Sequence, residues 1–268
     1  MGRYFKFDAN YFNFATRCDV SWRKEYFMDF VFGGERSDRA YGLTRITPQL
    51  TAAYDVDGLY FLKNVIGSAG TTLPCTISVA DTPQIGTIGC SVDTESAGIL
   101  NAKVDTWEIT VEEGAPVRSE FTAIGRNTTT FGASSYSADF GSNVLMPSDC
   151  TVNVGVTPVS VSLFSMRIGN GLEPIFKTST LPVTIRATGL EVTGRLRVPS
   201  FLDSSVQDNS LSCVFGTIGT IFIGAAKFLE IPPRVTGYEL PETEYSWTGF
   251  PGAGITALKA VLNNTIKW

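Results

Sequence analysis

The chain has 268 residues and a net charge of −5, a length that suits one large domain or two small ones. Only 18% of its residues are charged and 43% are apolar, against roughly 25% charged residues in a typical soluble domain. The acidic balance argues against a protein that grips nucleic acid through clustered Lys and Arg. The scarcity of charge fits a subunit that buries its surface against copies of itself, and equally a β-sandwich with a large core.

Histidine is absent from the sequence, which excludes Ser-His-Asp and Cys-His nucleophilic sites, histidine bases and histidine-containing zinc sites. The cysteines form no C-x-x-C pair that would support structural zinc: Cys18, Cys75, Cys90, Cys150 and Cys213. Their odd number fits free, buried thiols in a reducing cytoplasm, while Cys75 and Cys90 are also spaced to face each other across a hairpin. We therefore expect neither an enzyme nor a protein that binds a cofactor or metal.

Residues 1–42 are predicted to form an aromatic N-terminal arm followed by a charged loop. The aromatic side chains of residues 1–32 have mixed spacing, so their secondary structure stays open, and they pack either on the domain core or on a neighbouring subunit. The loop at 33–42 holds charges of alternating sign between glycines: Glu35, Arg36, Asp38 and Arg39. Such a loop is either solvated or pairs with a complementary surface, and these four residues are candidate subunit contacts.

No targeting or membrane-spanning segment is predicted. The N-terminus lacks a basic stretch followed by an apolar core, and no apolar run reaches about 18 residues. We therefore expect no signal peptide and no insertion into a membrane.

Residues 43–255 are predicted to form the β core. A first strand places Leu50, Ala52 and Tyr54 on one face, and Pro48 within it indicates an edge position. The period then becomes helical at 58–66, which predicts a short helix that ends at Gly67.

A clean hairpin is predicted at 105–125. Trp107, Ile109 and Val111 alternate with outward-facing polar residues, and the turn at 113–116 reverses the chain. Trp107 is therefore expected in the core. The preceding segment 67–98, rich in Gly, Thr, Ser and Pro, is typical of short strands with turns between them.

The segment 161–199 contains two further strands. Phe164, Met166 and Ile168 share one sheet face in the first strand, while Ser165 and Arg167 face water. Residues 169–171 tolerate positive φ, which predicts a tight reversal there. A second alternating strand follows and ends at residue 199, which is a proline.

The same segment carries an ordered series of residues: Ile168, Asn170, Leu172 and Glu173, then Gly189, Glu191, Val192, Thr193 and Gly194. This series resembles the tail tube proteins, or major tail proteins, of tailed phages and related viruses. The resemblance covers residues 161–201.

The resemblance implies a structural virion protein whose hexameric rings stack into the viral tail tube, a conduit for genome delivery. Inner-sheet strands of each subunit would join into a continuous barrel that lines the lumen, while loops and arms contact the next ring. The implied partners are copies of the chain itself and the tape-measure, tail terminator and baseplate proteins, with viral DNA as passing cargo. The tube would be assembled in the host cytoplasm and would reside in the virion tail.

Residues 256–268 return to helical spacing through one apolar stripe: Ala257, Leu258, Val261, Leu262 and Ile266. The predicted fold class is therefore mainly β, with two packed sheets in a sandwich or distorted barrel, one short helix and a C-terminal helix. The alternative function is a carbohydrate- or protein-binding β-sandwich, such as a virion adhesion module. A sugar site in that protein would use Tyr245 and Trp247 beside Glu242 and Glu244.

Overall fold

The computed structural model of the chain describes residues 4–8, 10–12, 15–30, 39–59, 61–69, 73–92, 95–130, 144–199, 209–234, 242–251 and 257–263. Its one α-helix in these ranges is α1 (Leu62–Ile66), and a 3-10 turn spans Pro147–Asp149. The strands, in chain order, are β1 (Tyr4–Phe7), β2 (Asn10–Phe12), β3 (Ala15–Phe30), β4 (Arg39–Asp55), β5 (Gly67–Ala69), β6 (Cys75–Val79), β7 (Gly86–Val92), β8 (Glu95–Glu112), β9 (Arg118–Ile124), β10 (Asn127–Thr130), β11 (Cys150–Val154), β12 (Thr157–Val159), β13 (Leu163–Gly169), β14 (Leu172–Ile175), β15 (Thr184–Ala187), β16 (Glu191–Val198), β17 (Leu211–Phe215), β18 (Gly219–Ile223), β19 (Ala225–Arg234), β20 (Glu242–Phe250) and β21 (Leu258–Leu262).

The larger sheet is antiparallel and runs in the order β3, β4, β9, β8, β13, β16, β20, β19. Strand β8 is long enough to pair with two sets of neighbouring strands. Its second half pairs with β9 and β13, and its first half pairs with β7 and β10. Strand β7 in turn pairs with β1, so the sheet continues around the domain through β8.

The smaller sheet runs in the order β12, β11, β17, β18, β21, β6, β5. Both sheets contribute side chains to one buried cluster, in which Trp107 and Phe164 come from the larger sheet and Phe215 and Ile221 from the smaller one. The protein is therefore mainly β, with two sheets packed face to face as the alternating sequence predicts.

Period-two alternation sets the buried face of the central strands. Phe164, Met166 and Ile168 are fully buried on β13, and Trp107 on β8 is only 2% exposed, as predicted. Arg167 is exposed, but Ser165, which was also expected to meet water, is 8% exposed. The reason is its short side chain, which lies between the flanking residues of β8 and β16.

The predicted short helix is present as α1. Leu62, Val65 and Ile66 face the core, and Gly67 ends the helix with a φ of 106°. With this positive φ, the Gly67 backbone N–H donates to the Lys63 carbonyl oxygen at the end of the helix. Glycine adopts a positive φ without steric cost.

The predicted C-terminal helix is wrong, because residues 258–262 form strand β21 between β18 and β6. Leu258, Ala260 and Leu262 are buried and alternate with half-buried Lys259 and Val261. The apolar residues of this short segment fit the period of a helix and also that of a strand. The strand forms because β18 and β6 on either side supply hydrogen-bond partners for its backbone. Residues 264–268, the end of that prediction, lie outside the described ranges.

The predicted reversal at 169–171 is also wrong. Strand β13 continues through Gly171, at φ 53°, into β14, which pairs with β15 in a separate two-stranded finger. The chain reverses at the tip of this finger, between residues 175 and 184. Positive φ at Gly171 therefore bends an extended chain and makes no hairpin turn.

The edge position expected for the strand of Pro48 is not observed, because β4 lies between β3 and β9. The ladder with β9 begins one residue later, at Gln49, and the Pro48 carbonyl accepts a hydrogen bond from Gly125 N. The nitrogen and the carbonyl of a strand residue point to the same side, which for Pro48 is the side of β9. The ladder with β9 does not reach Pro48, so the proline nitrogen, which has no hydrogen to donate, leaves no ladder bond unmade.

A disulfide joins Cys18 on β3 to Cys90 on β7, with the two Cα atoms 6.2 Å apart. The alternative that paired Cys75 with Cys90 is therefore wrong, and so is the expectation that the thiols are all free. Cys75 is a buried free thiol on β6, which belongs to the other sheet.

Candidate assembly surface

The larger sheet presents a polar face to water, here called the open face, on the side opposite the core. It is formed by the outward-pointing residues of β9, β8, β13, β16 and β20, because the inward positions of these strands hold the apolar residues. Thr110, Arg167, Thr193 and Arg195 line a shallow groove of about 600 Å³ across its middle. The open face is therefore a broad, solvated surface.

Charge on the open face is arranged in stripes along the strands. Strands β8 and β9 carry acidic side chains, β13 and β16 carry mainly basic ones with the exposed Glu191 at the start of β16, and β20 is acidic again. The members are Glu108, Glu112 and Glu120, then Arg167, Arg195 and Arg197, then Glu242 and Glu244. Arg118 on β9 adds a positive charge beside the first acidic stripe. The open face therefore lacks the excess of positive charge that holds nucleic acid phosphates.

Ion pairs join the basic stripe to the acidic stripe on β20. Arg197 Nη2 lies 3.2 Å from Glu244 Oε2, and Arg197 Nε lies 3.9 Å from Glu242 Oε2. Arg195 Nη1 lies 3.7 Å from Glu244 Oε1. Such partly exposed pairs contribute about 0–1 kcal/mol each, so they orient the side chains more than they stabilise the fold.

The acidic stripe on β8 and β9 contains an unfavourable pair. Glu108 and Glu120 are directly opposite in the ladder, where like charges repel. Arg167 lies opposite Glu108 on the other side. The pair places negative charge near the middle of the open face.

Both edge strands of the larger sheet pair with one strand only, within the part of the chain that the structure describes, although Ala226 N at the start of β19 also donates to the Asn209 carbonyl oxygen. Strand β3 pairs with β4, and β19 pairs with β20. On β19, Leu229 is 72% exposed and Lys227 stands over the ring of Phe250 at 5.5 Å. These edges present backbone donors and acceptors to another strand.

The first part of the residue series that resembles tail tube proteins, residues 168–173, lies at the junction between β13 and β14. Ile168 is buried at the end of β13. Asn170 is also buried, and its Nδ2 donates to the carbonyls of Val65 on α1 and Val104 on β8, both at 2.9 Å. Leu172 N donates to Asp105 Oδ1 at 2.8 Å.

Glu173, the last residue of that first part, is exposed on the finger and pairs in register with Arg186. The first part of the series is therefore a structural anchor that ends in an exposed residue.

The second part of the series sets the packing of β16. Val192 is buried, while Glu191 is exposed and Thr193 half-buried, and Gly189 precedes the strand with nothing near its Cβ position. A Cβ on Gly194 would lie 2.0 Å from the carbonyl oxygen of Ser165 and 2.3 Å from the Trp247 ring. Glycine at 194 is therefore what allows β16 to pass beneath Trp247.

Of the four charged residues predicted as subunit contacts, the structure describes one. Glu35, Arg36 and Asp38 lie outside the described residues. Arg39 is the first residue of β4 and pairs in register with Phe30 of β3. Their role as subunit contacts therefore stays a prediction.

The proposed sugar site is wrong. Tyr245 and Trp247 are 1% and 2% exposed, with Trp247 stacked on Phe164 at 6.3 Å between ring centroids. Glu244 points to the opposite face, because neighbouring positions of a strand alternate. The aromatic rings therefore belong to the core and cannot stack on a sugar.

No protein-family model matches the chain, and the search of curated proteins gave no match. Among the described residues no group of three or more Cys, Asp or Glu side chains is placed to hold a metal ion. No helix in the described ranges is long and apolar enough to cross a membrane.

The sequence alone did not single out Arg195, Arg197 and Glu242 for the open face. Alternation on β16 and β20 indicates which residues point outward, but the neighbours of each strand decide whether their charges meet. The ladders β13–β16 and β16–β20 supply those neighbours.

Proposed function

We propose that the chain is the subunit of a viral tail tube. Copies join edge to edge into rings, hexameric as in the family that the sequence resembles, and the rings stack into a conduit for the viral genome. The tube is assembled in the host cytoplasm and resides in the virion tail. Its further partners are the tape-measure, tail terminator and baseplate proteins, with DNA as passing cargo.

The observation that carries the proposal is the larger sheet, which has one apolar face, one solvated charged face and two edges with a single neighbour each. Pairing β19 of one subunit with β3 of the next extends this sheet without covering either face. Repetition around an axis closes the ring and removes the edges, which otherwise invite uncontrolled association.

In this arrangement the open face lines the lumen, and the smaller sheet lies outside. Acidic stripes flank the basic stripe, and Arg195 and Arg197 are already engaged by Glu242 and Glu244. Phosphate groups therefore meet a surface that neither repels them uniformly nor binds them tightly, as movement of DNA through a tube requires.

The proposal is tested by electron microscopy and sedimentation of the purified chain, with a matched pair of variants. Leu229→Glu puts a charge on the exposed edge strand β19, and Val156→Glu puts one on the turn after β11, where Val156 is 98% exposed. We expect rings or tubes from the natural chain and from Val156→Glu. We expect monomers with an unchanged circular dichroism spectrum from Leu229→Glu, because a charged side chain on an edge strand opposes its pairing with another strand.

Two results would count against the proposal. A natural chain that stays monomeric at every concentration would remove the tube. Tubes formed equally by Leu229→Glu would show that β19 is not the joining edge.

A further inference from the structure

Two cysteines outside the disulfide lie side by side on the smaller sheet. Strands β11 and β17 pair so that Cys150 is opposite Phe215 and Val152 is opposite Cys213. Because alternate residues share a face, Cys150 and Cys213 are diagonal neighbours on the same side of the sheet. That side is the core face, since Phe215 and Val152 are buried there.

The two thiols interact but differ in access to solvent. Cys213 is fully buried, and its burial, together with a hydrogen bond to the Cys150 thiol, raises the pKa of Cys213 well above the usual thiol range. Cys150 is half-buried and lines a groove of about 310 Å³ with Pro147 and Pro158. A small oxidant can therefore reach Cys150 first, with Cys213 directly beneath it.

We propose that Cys150 and Cys213 form a modification site, a dithiol that a peroxide converts into a second disulfide linking β11 to β17. The Cys150 thiol loses its proton, and the thiolate attacks one peroxide oxygen, which gives a sulfenic acid and a hydroxide that takes up that proton as water. The Cys213 sulfur then attacks the sulfenic sulfur, the S–S bond forms, and the sulfenic oxygen leaves as water with the Cys213 proton. Two thiols are thereby oxidised, and one hydrogen peroxide is reduced to two waters.

The disulfide requires a small change in the spacing of β11 and β17. Diagonal neighbours on an antiparallel pair have Cα atoms about 7–8 Å apart, slightly beyond the usual spacing in a disulfide. Cys150 is the first residue of β11 and follows the 3-10 turn Pro147–Asp149. Its Sγ also lies 3.6 Å from the Met146 carbonyl oxygen on that turn. Gly216 N donates to the Asp149 carbonyl oxygen at 2.7 Å, so the link requires the start of β11 and the facing end of β17 to shift slightly toward each other.

The site is tested by treating the purified chain with hydrogen peroxide and mapping its peptides by mass spectrometry without reduction. We expect a linked peptide that contains Cys150 and Cys213, a loss of two hydrogen atoms from the chain, and restoration of both thiols by a dithiol reductant. In Cys213→Ser, Cys150 should instead accumulate as a sulfenic acid that dimedone traps. The control Cys75→Ser should form the link as the natural chain does, because Cys75 lies on β6.

The linked peptide is measured in the natural chain, so the test does not depend on whether a variant folds. Over-oxidation of Cys150 to a sulfinic acid without a linked peptide would overturn the proposal. Disulfides between two chains through Cys150, or no reaction at Cys150, would overturn it as well.

Discussion

Gly194 shows how strongly one residue of β16 depends on its surroundings. A Cβ on this residue would overlap the Ser165 carbonyl oxygen and the Trp247 ring, so no side chain fits without movement of the backbone. Trp247 also stacks on Phe164, so its displacement would disturb the middle of the core.

We therefore expect Gly194→Ala to lower the free energy of unfolding by about 1–3 kcal/mol, the usual cost of overpacking a core. Denaturant titration followed by circular dichroism measures this loss. Gly189→Ala is the control, because nothing lies within 4 Å of the Cβ position there, and its effect should stay within about 0.5 kcal/mol. Equal stability of both variants would contradict the packing argument.

Tyr54 is a core residue whose pKa differs strongly from its ordinary value. Burial raises its pKa to about 12, although hydrogen bonds with Ser119 and Trp107 act in the opposite direction. The Trp107 Nε1–H donates to Tyr54 Oη at 3.3 Å.

A phenol whose pKa is raised in the folded state favours folding fully below its unfolded pKa near 10, and this contribution is lost as the pH rises toward 12. The loss amounts to about 3 kcal/mol, the free energy that corresponds to a pKa raised from 10 to about 12. We expect Tyr54→Phe to abolish this part of the alkaline loss of stability in unfolding measurements at increasing pH. A variant that loses stability between pH 10 and 12 as steeply as the natural chain would disprove the assignment.

At the scale of elements, a single buried amide connects three of them. Asn170 lies between β13 and β14, and its side chain bonds to a carbonyl of α1 and to one of β8. Its own N–H donates to the Asp105 carbonyl oxygen at 2.8 Å. The position of the short helix therefore depends on a residue more than a hundred positions away.

We expect Asn170→Ala to destabilise the protein by about 2 kcal/mol or more, because two buried carbonyls lose a donor. Hydrogen exchange should accelerate at α1 before it accelerates at the central strands. Asn153→Ala is the matched control, since the Asn153 amide reaches only Ser212 Oγ, at 3.4 Å and half-buried. Unchanged exchange at α1 in the Asn170 variant would show that the helix is held by its apolar contacts alone.

At the scale of the whole molecule, the charge of the open face decides how the protein treats DNA. Glu108 and Glu120 remain opposite each other despite their repulsion, beside the arginines of β13 and β16. Removal of this negative stripe would leave a basic groove of the kind that phosphates bind.

We therefore expect little retention of duplex DNA by the natural chain at physiological salt, and salt-sensitive retention by Glu108→Lys/Glu120→Lys. A filter-binding series at increasing salt measures both. Glu113→Lys/Glu173→Lys makes the same change in net charge at exposed residues of a turn and of the finger. Tight binding by the natural chain would contradict the role given to the open face, and so would equal binding by the two variants.

The sequence by itself determined the properties that depend on neighbours along the chain. Alternation placed Trp107 and Phe164 in the core, and a helical period followed by Gly67 located α1, because these patterns act over a few residues. The same alternation predicts that Glu108 and Arg167 point outward, and both residues belong to the open face.

Only the tertiary structure decided which strands lie side by side. That choice turned residues 258–262 into a strand between β18 and β6, joined Cys18 to Cys90 across 72 positions, and buried the aromatic rings beside Glu244. Period and composition contain no information about such pairings, since the free energy that selects them comes from contacts between segments far apart in the chain.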